Sequence, residues 1–272
     1  MSFYKLPEEK NMSLNRIKAI LIHEVFISKH SFEIFNDIFL YPLFSIIVFG
    51  FMALYLTGSA GKLITDQVLA GMIFWQVVNI AQYSIGVGCL WDVWSRNLTN
   101  IFISPIQISE YLLSFGITGT IKSFIVLMLA SALSLMAFHF NIFSMGLTNM
   151  FFVFINLVFF GFSFGIVMLG LIIRFGTKVA AFAWGLINFF QPFMAVIYPV
   201  TILPQPFRSI AYLLAPTYAF EAMRKSLAGQ GASVEIVTAL VLNAIFFVGA
   251  VIFFRYMFAK SKETGAFARL EG

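Results

Sequence analysis

Residues 161–165 read Gly-Phe-Ser-Phe-Gly, the spacing of a nucleophile elbow with Ser163 at its apex. A serine nucleophile needs a base to take its proton. The three histidines are His23, His30 and His139. The first two lie in a polar opening segment and the third lies at the far end of an apolar run, so none is offered to Ser163 by the sequence. The same spacing serves packing: Gly161 and Gly165 form a small-xxx-small face that lets another helix approach closely. Phosphate chemistry is likewise missing. Lys62 follows Gly61 but precedes Leu63, and Leu56 stands where the first glycine of G-x-x-x-x-G-K-[ST] belongs. Any ATP and Mg²⁺ would therefore be bound by another polypeptide. Cys89 is the single cysteine, so no intrachain disulfide forms. No catalytic residue, metal ligand or cofactor is assigned to this chain.

Lys122 is the one basic residue inside an apolar run. A lysine at mid-bilayer costs ~2.5–3.5 kcal/mol on insertion scales, less where it snorkels to the interface. It lies under two turns from one end of its run, so snorkelling and a transport role both stay open. No acid lies deep in a run to relay protons, which disfavours a secondary transporter.

The elements that carry these residues follow from composition. Of 272 residues, 60% are hydrophobic and 11% charged, where soluble domains run near half and a quarter. A soluble enzyme, a nucleic-acid binder and a disordered regulator are excluded, and a membrane protein remains. The net charge of +5 is scattered over the chain and does not mark a nucleic-acid surface. The 35 phenylalanines suit lipid contact and helix packing. The polar first 35 residues do not read as a cleavable signal.

A crossing takes ~20 apolar residues. Ile38–Leu56 and Gln67–Leu90 are the first two such runs. Ser123–Ile173 holds 51 residues without Lys, Arg, Asp or Glu, too long for one crossing at ~1.5 Å per residue. It must turn, and Asn141 with Gly146 marks the place, giving spans at Gly116–Phe138 and Leu147–Ile173. Val179–Tyr198 and Ile236–Phe254 complete six. The runs are continuous rather than alternating, which excludes a barrel. With the N-terminus inside, Lys5, Lys10, Arg16, Lys18, Lys29, Arg96, Arg174, Lys178, Arg255, Lys260, Lys262 and Arg269 face the cytoplasm, and Lys62, Arg208, Arg224 and Lys225 face out. Twelve against four predicts both termini in the cytoplasm. No internal repeat is evident.

Three further segments have a purpose to be explained. Leu14, Ile17, Leu21, Val25, Phe32 and Phe35 recur at helical spacing, with Ser13 as an N-cap, which predicts an amphipathic helix in the membrane interface. Residues 91–111 carry a stripe of Trp91, Trp94, Leu98 and Ile101 beside polar Arg96, Asn97, Thr99 and Asn100. Asp92 and Arg96 form an i,i+4 pair, and Pro105 opens the next helix. This is either a helix that shows polar groups to a partner or a plain connector anchored by tryptophan. Finally, residues 190–225 hold Pro192, Pro199, Pro204, Pro206 and Pro216, yet stay apolar. Such a stretch is too broken to cross and too apolar for a free loop. It predicts short helices that dip back from the outer face.

Residues 198–224, YPVTILPQPFRSIAYLLAPTYAFEAMR, resemble the ABC type-2 permeases: a Tyr-Pro turn, a Leu-Pro, an Arg, then Pro-x-Tyr and Glu-x-x-Arg. FISPIQISEY, residues 102–111, resembles the Ser/Thr-Pro segment after that family's coupling helix. Two features depart from the family: its acid-rich stretch before the coupling helix is reduced to Asp92, and no Trp precedes Pro42. The resemblance implies an all-α membrane protein of six transmembrane helices, with an interfacial N-terminal segment (1–35), a membrane domain (36–257) containing a re-entrant hairpin between helices 5 and 6, and a cytoplasmic tail (258–272). It implies the permease subunit of an ATP-driven exporter in the cell membrane. Two copies, or a pair of close homologues, would work with two ABC ATPase subunits that bind ATP. Trp94, Arg96, Asn97, Leu98, Asn100, Ile101, Ser104 and Pro105 would couple to the ATPase. Tyr198, Pro199, Pro204, Arg208, Pro216, Tyr218, Glu221 and Arg224 would build the outer gate. The cargo would be lipid-like or drug-like, with a polysaccharide, teichoic acid or lipid-linked glycan as the alternative. An intramembrane serine protease using Ser163 and a non-transporting scaffold are the other classes.

Overall fold

The structure is a computed structural model that describes residues 12–95, 97, 100–101 and 104–263, without the side chains of residues 56–60. Arg96, Leu98, Thr99 and the terminal Lys5, Lys10 and Arg269 lie outside the described residues. Helix α1 spans Leu14–His30 and α2 Phe32–Phe35. A π-helical turn at Asn36–Leu40 leads into α3, Tyr41–Ala60. Helix α4 is Lys62–Trp94 and α5 Ile108–Phe138. Helix α6 is Leu147–Phe175, α7 Ala180–Phe190, α8 Phe207–Ala211, α9 Ala215–Leu227 and α10 Ser233–Glu263. No strand occurs among the described residues. Five segments are long and apolar enough to cross a membrane: Phe32–Tyr55, Lys62–Trp94, Ile108–Phe138, Leu147–Met194 and Ser233–Glu263.

Helix α4 is the central post. It is apolar all round, so it is buried nearly along its whole length and the other long helices pack about it. Their directions follow from the contacts. Helix α3 runs against α4, with Ser45 at Gln76 and Ala53 at Thr65. Helix α5 also runs against it, with Tyr111 at Asp92 and Ser123 at Val77. Helix α6 runs with α4: a Cβ on Gly161 would stand 2.7 Å from the Ala81 Cβ, and one on Gly165 2.9 Å from the Ile85 Cβ. These two glycines let the backbones meet. Helix α10 follows α6, joined by an Asn243 Nδ2 bond to Asn156 Oδ1 (3.0 Å) and by Ser261 Oγ to the Ile173 carbonyl (2.7 Å).

The segment Leu147–Met194 is not one rod. Glycine 176, at φ +69°, ends α6, and a 3-10 turn over Gly176–Val179 reverses the chain. Helix α7 then runs against α4, with the Ala183 carbonyl at Gln82 and the Val196 carbonyl at Gly71. Its 11 residues span about 16 Å, less than the full length expected of Val179–Tyr198. A 3-10 turn at Gln191–Met194, opened by Pro192, takes over from the helix. The turn expected near Asn141 and Gly146 is a 3-10 turn over Ile142–Met145, with the Asn141 side chain accepting from the Phe143 N–H and Gly146 at φ +86°. Helices α4 and α10 outrun the expected spans at both ends, α5 at its start and α6 at its end, because hydropathy marks only the apolar slab and not where the helix stops.

The apolar stripe expected on this segment divides: Ile17 is buried beside Ile20 and Glu24, whereas Leu14 and Val25 of α1 and Phe32 and Phe35 of α2 are exposed. One expectation for α1 needs correction. Ser13 makes no side-chain cap; its backbone N–H instead donates to Glu110 Oε1 at 2.7 Å.

Candidate functional site: segment 91–105, an amide-lined cavity and the proline-rich hairpin

At one end of the bundle, helix α1 lies across the first turns of α5. Arg16 forks onto both Glu110 oxygens, with Nε at 2.9 and 2.8 Å. Glu110 also accepts from the Gln107 N–H at 2.9 Å. Bonding to Glu110 holds the Arg16 guanidinium above its ordinary pKa. About two turns farther along α1, Glu24 meets Lys122 at 3.3 Å. Lys122 is thus a partner of α1 and does not stand free in the bundle.

Beside this joint runs the segment read as coupling. Trp94 closes α4. The Asn97 N–H donates to the Asp92 carbonyl at 2.9 Å, and its amide lies 3.4 Å from His23 Nε2 of α1. Asn100 and Ile101 are helical, Ser104 donates to the Ile101 carbonyl at 2.5 Å, and Pro105 sits in a turn before α5. Asn97, Asn100 and Ser104 line a cavity of about 260 Å³ shared with Ile20 and His23 of α1. Asp92 accepts from the buried Tyr111 hydroxyl at 2.6 Å, and its expected pairing with Arg96 lies outside the described residues.

A second cavity, of about 360 Å³, opens between the start of α3, the middle of α4, and α7. The sequence reading missed it. Asp37 Oδ2 accepts from Tyr83 at 3.0 Å and from the Trp184 indole at 3.4 Å. Gln76, Asn79 and Asn188 add amides. A signal existed: Gln76, Asn79 and Tyr83 fall on one face of an otherwise apolar helix, and polar groups on such a face are seldom idle. The wall of this cavity touches the end of α4 directly, because the Trp94 and Trp184 rings stack at 5.7 Å with 16° between planes.

At the other end, the residues read as a gate come together as a closed unit. Tyr198 donates to the Pro192 carbonyl at 2.5 Å, and Pro199 leads into a 3-10 turn at Val200–Ile202. Arg208 binds back to the Leu203 carbonyl at 2.9 Å and to that of Thr201, while its N–H meets the Pro204 carbonyl at 3.1 Å. Pro216 sits at the start of α9, where a missing N–H costs nothing. Tyr218 packs on Tyr212 at 6.1 Å. Arg224 is buried, which lowers its pKa, while Glu221 at 3.1 Å acts to restore it. Arg224 also donates to the carbonyls of Ala195 (2.5 Å) and Val196 (3.3 Å), and Glu221 accepts from the Val200 N–H at 2.8 Å.

Ser163 is fully buried and its hydroxyl donates to the Phe159 carbonyl at 2.8 Å. Among the described residues no cluster of three or more metal-ligating side chains occurs. No protein-family model matches the chain, and no curated protein matches it either.

Proposed function

We propose that this chain is the permease subunit of an ATP-driven ABC exporter, carrying amphipathic, lipid-like or drug-like cargo out of the cytoplasm or the inner leaflet. The observation that carries the reading is the Trp94–Trp184 stack, through which a motor pushing on residues 94–105 would move a wall of the inner cavity. Six crossings are the reading that accommodates the reversal at Gly176–Val179 and the opposed courses of α6 and α7 along α4. Arg174 and Lys178 flank that reversal, at the end of the bundle that also holds Lys260. Both termini then face the cytoplasm. The Arg224-bound hairpin closes the outer end.

ATP and Mg²⁺ belong to two partner ATPase subunits, and nothing in this chain does covalent chemistry. ATP binding draws the ATPases together. The coupling segment moves with them, α1 shifts in the interface, and access to the cavity changes sides. A second copy fits on α3, whose exposed Tyr41, Phe44, Val48, Phe51 and Tyr55 repeat at three and four residues, the spacing of a helix-pairing seam. The cavity opens beside that seam. Its amides leave a glycan exporter as the second reading.

The test uses the chain co-purified with a candidate partner ABC ATPase and reconstituted in vesicles. Trp184→Ala should leave ATPase association intact but reduce the stimulation of ATP turnover by amphipathic cargo. An aromatic pair is worth about 0.5–1.5 kcal/mol, so the loss should be about two- to twelvefold. Full stimulation in Trp184→Ala and in Trp94→Ala would sink the coupling route.

A further inference from the structure

A long apolar groove runs between α5 and α10 over the floor of α6. Its first part holds about 640 Å³ and is walled by Leu112, Leu113, Phe162, Phe254 and Phe258. A second part of about 430 Å³ continues it past Gly116 and Thr120, and the two share Leu113 and Phe162. The groove follows α5 from Ile108 to Ile121, about 20 Å, against about 15 Å for the hydrocarbon of one leaflet. It suits one acyl chain entering from one side of the membrane.

Charge marks that side. Arg255 and Lys262 line only the first part, two helical turns apart on α10. Five described cations elsewhere meet carboxylates: Arg16 with Glu110, Lys122 with Glu24, Arg224 with Glu221, Lys225 with Glu235 and Lys260 with Glu263. Arg255 and Lys262 have no such partner among the described residues, and no acid lines the groove. Lys262 rests over the Phe258 ring, 4.5 Å from its centre, which keeps its ammonium at the groove mouth.

We infer that this groove binds an anionic phospholipid from the leaflet on the side of the α10 C-terminus. Its phosphate meets Arg255 and Lys262, and one acyl chain fills the path past Phe162. The site rests on embedding in a membrane and is independent of the export reading. A cation near a charged lipid surface favours it about fivefold.

The full chain carrying Leu113→Trp is reconstituted in phosphatidylcholine vesicles with a fixed minority of chain-brominated lipid. That lipid is either phosphatidylglycerol or phosphatidylcholine, and the chain without Leu113→Trp gives the background. Brominated phosphatidylglycerol should quench the added indole several-fold more effectively. Arg255→Gln with Lys262→Gln should make the two lipids equal, whereas Arg255→Lys should keep the preference. Lys260→Gln removes a charge from the same helix end but leaves the groove intact, so the preference should survive it. Equal quenching in the cation-intact chain overturns the site. A preference that survives the double substitution, or one lost equally in Lys260→Gln, overturns it as well.

Discussion

The two ends of this molecule are fastened in different ways. Where α1 meets α5, the charged bonds run from side chain to side chain across 94 to 98 residues of sequence, Arg16 to Glu110 and Lys122 to Glu24, with the Ser13 N–H added on Glu110. At the hairpin, Arg224 reaches backbone carbonyls and Glu221 a backbone N–H, over separations of 21 to 29 residues. The first joint can part with the loss of two bonds to the backbone of residues 13 and 17, because its cations Arg16 and Lys122 keep some contact with solvent. The second cannot, because the carbonyls of Ala195 and Val196 are buried and have nowhere else to turn. The first end is built to shift and the second to hold its shape.

The sharpest way to break this comparison is Arg224→Ala. It strands Glu221 and two buried carbonyls, and breaking a buried pair from one side typically costs about 3–5 kcal/mol. A large drop in the thermal unfolding midpoint in detergent is expected. Arg224→Lys should rescue little, since one ammonium cannot span acceptors that the planar guanidinium reaches together. Midpoints within a degree of the unaltered chain would show that the hairpin needs no latch.

A smaller effect is expected at the other joint. Glu110→Gln leaves a hydrogen-bonding group for Ser13 and Gln107 but removes the charge that holds Arg16. The bundle should stay folded while amide exchange in residues 14–30 rises several-fold and exchange in 215–227 stays unchanged. Equal acceleration in both segments would mean the two ends are one cooperative unit, and the contrast between them would fall.

What could be read from the sequence follows the same divide. The long helices were legible because unbroken apolar runs leave no alternative in a bilayer. The hairpin was legible as prolines in an apolar stretch, since backbone effects are written locally. The Lys122–Glu24 pair was not legible: nothing near Lys122 in sequence announces a carboxylate on α1, so the lysine looked like a snorkelling residue. Side-chain pairing over nearly a hundred residues depends on which helix faces lie together. Helical spacing marked Leu14 and Val25, which are exposed, but had no means to mark Glu24, which is buried with its carboxylate at Lys122. Asp37 escaped because its partners Tyr83 and Trp184 come from two other segments.

The smallest effect tests how α1 is started. A capping serine that accepts a backbone N–H typically loses about 1 kcal/mol on change to alanine. Ser31 is such a residue, since its Oγ accepts from the Ile34 N–H at 3.3 Å ahead of α2. Ser13 holds the equivalent place ahead of α1, but its contribution passes through its own backbone N–H to Glu110. Alanine keeps that N–H. Ser13→Ala should therefore change stability by under about 0.5 kcal/mol, the range of ordinary surface substitutions, while Ser31→Ala should show the loss of a cap. Both are measured by thermal unfolding in the same detergent. If Ser13→Ala costs as much as Ser31→Ala, the hydroxyl caps α1 from within. The helix would then start by its own local bonds, and the joint to α5 would be only one of its supports.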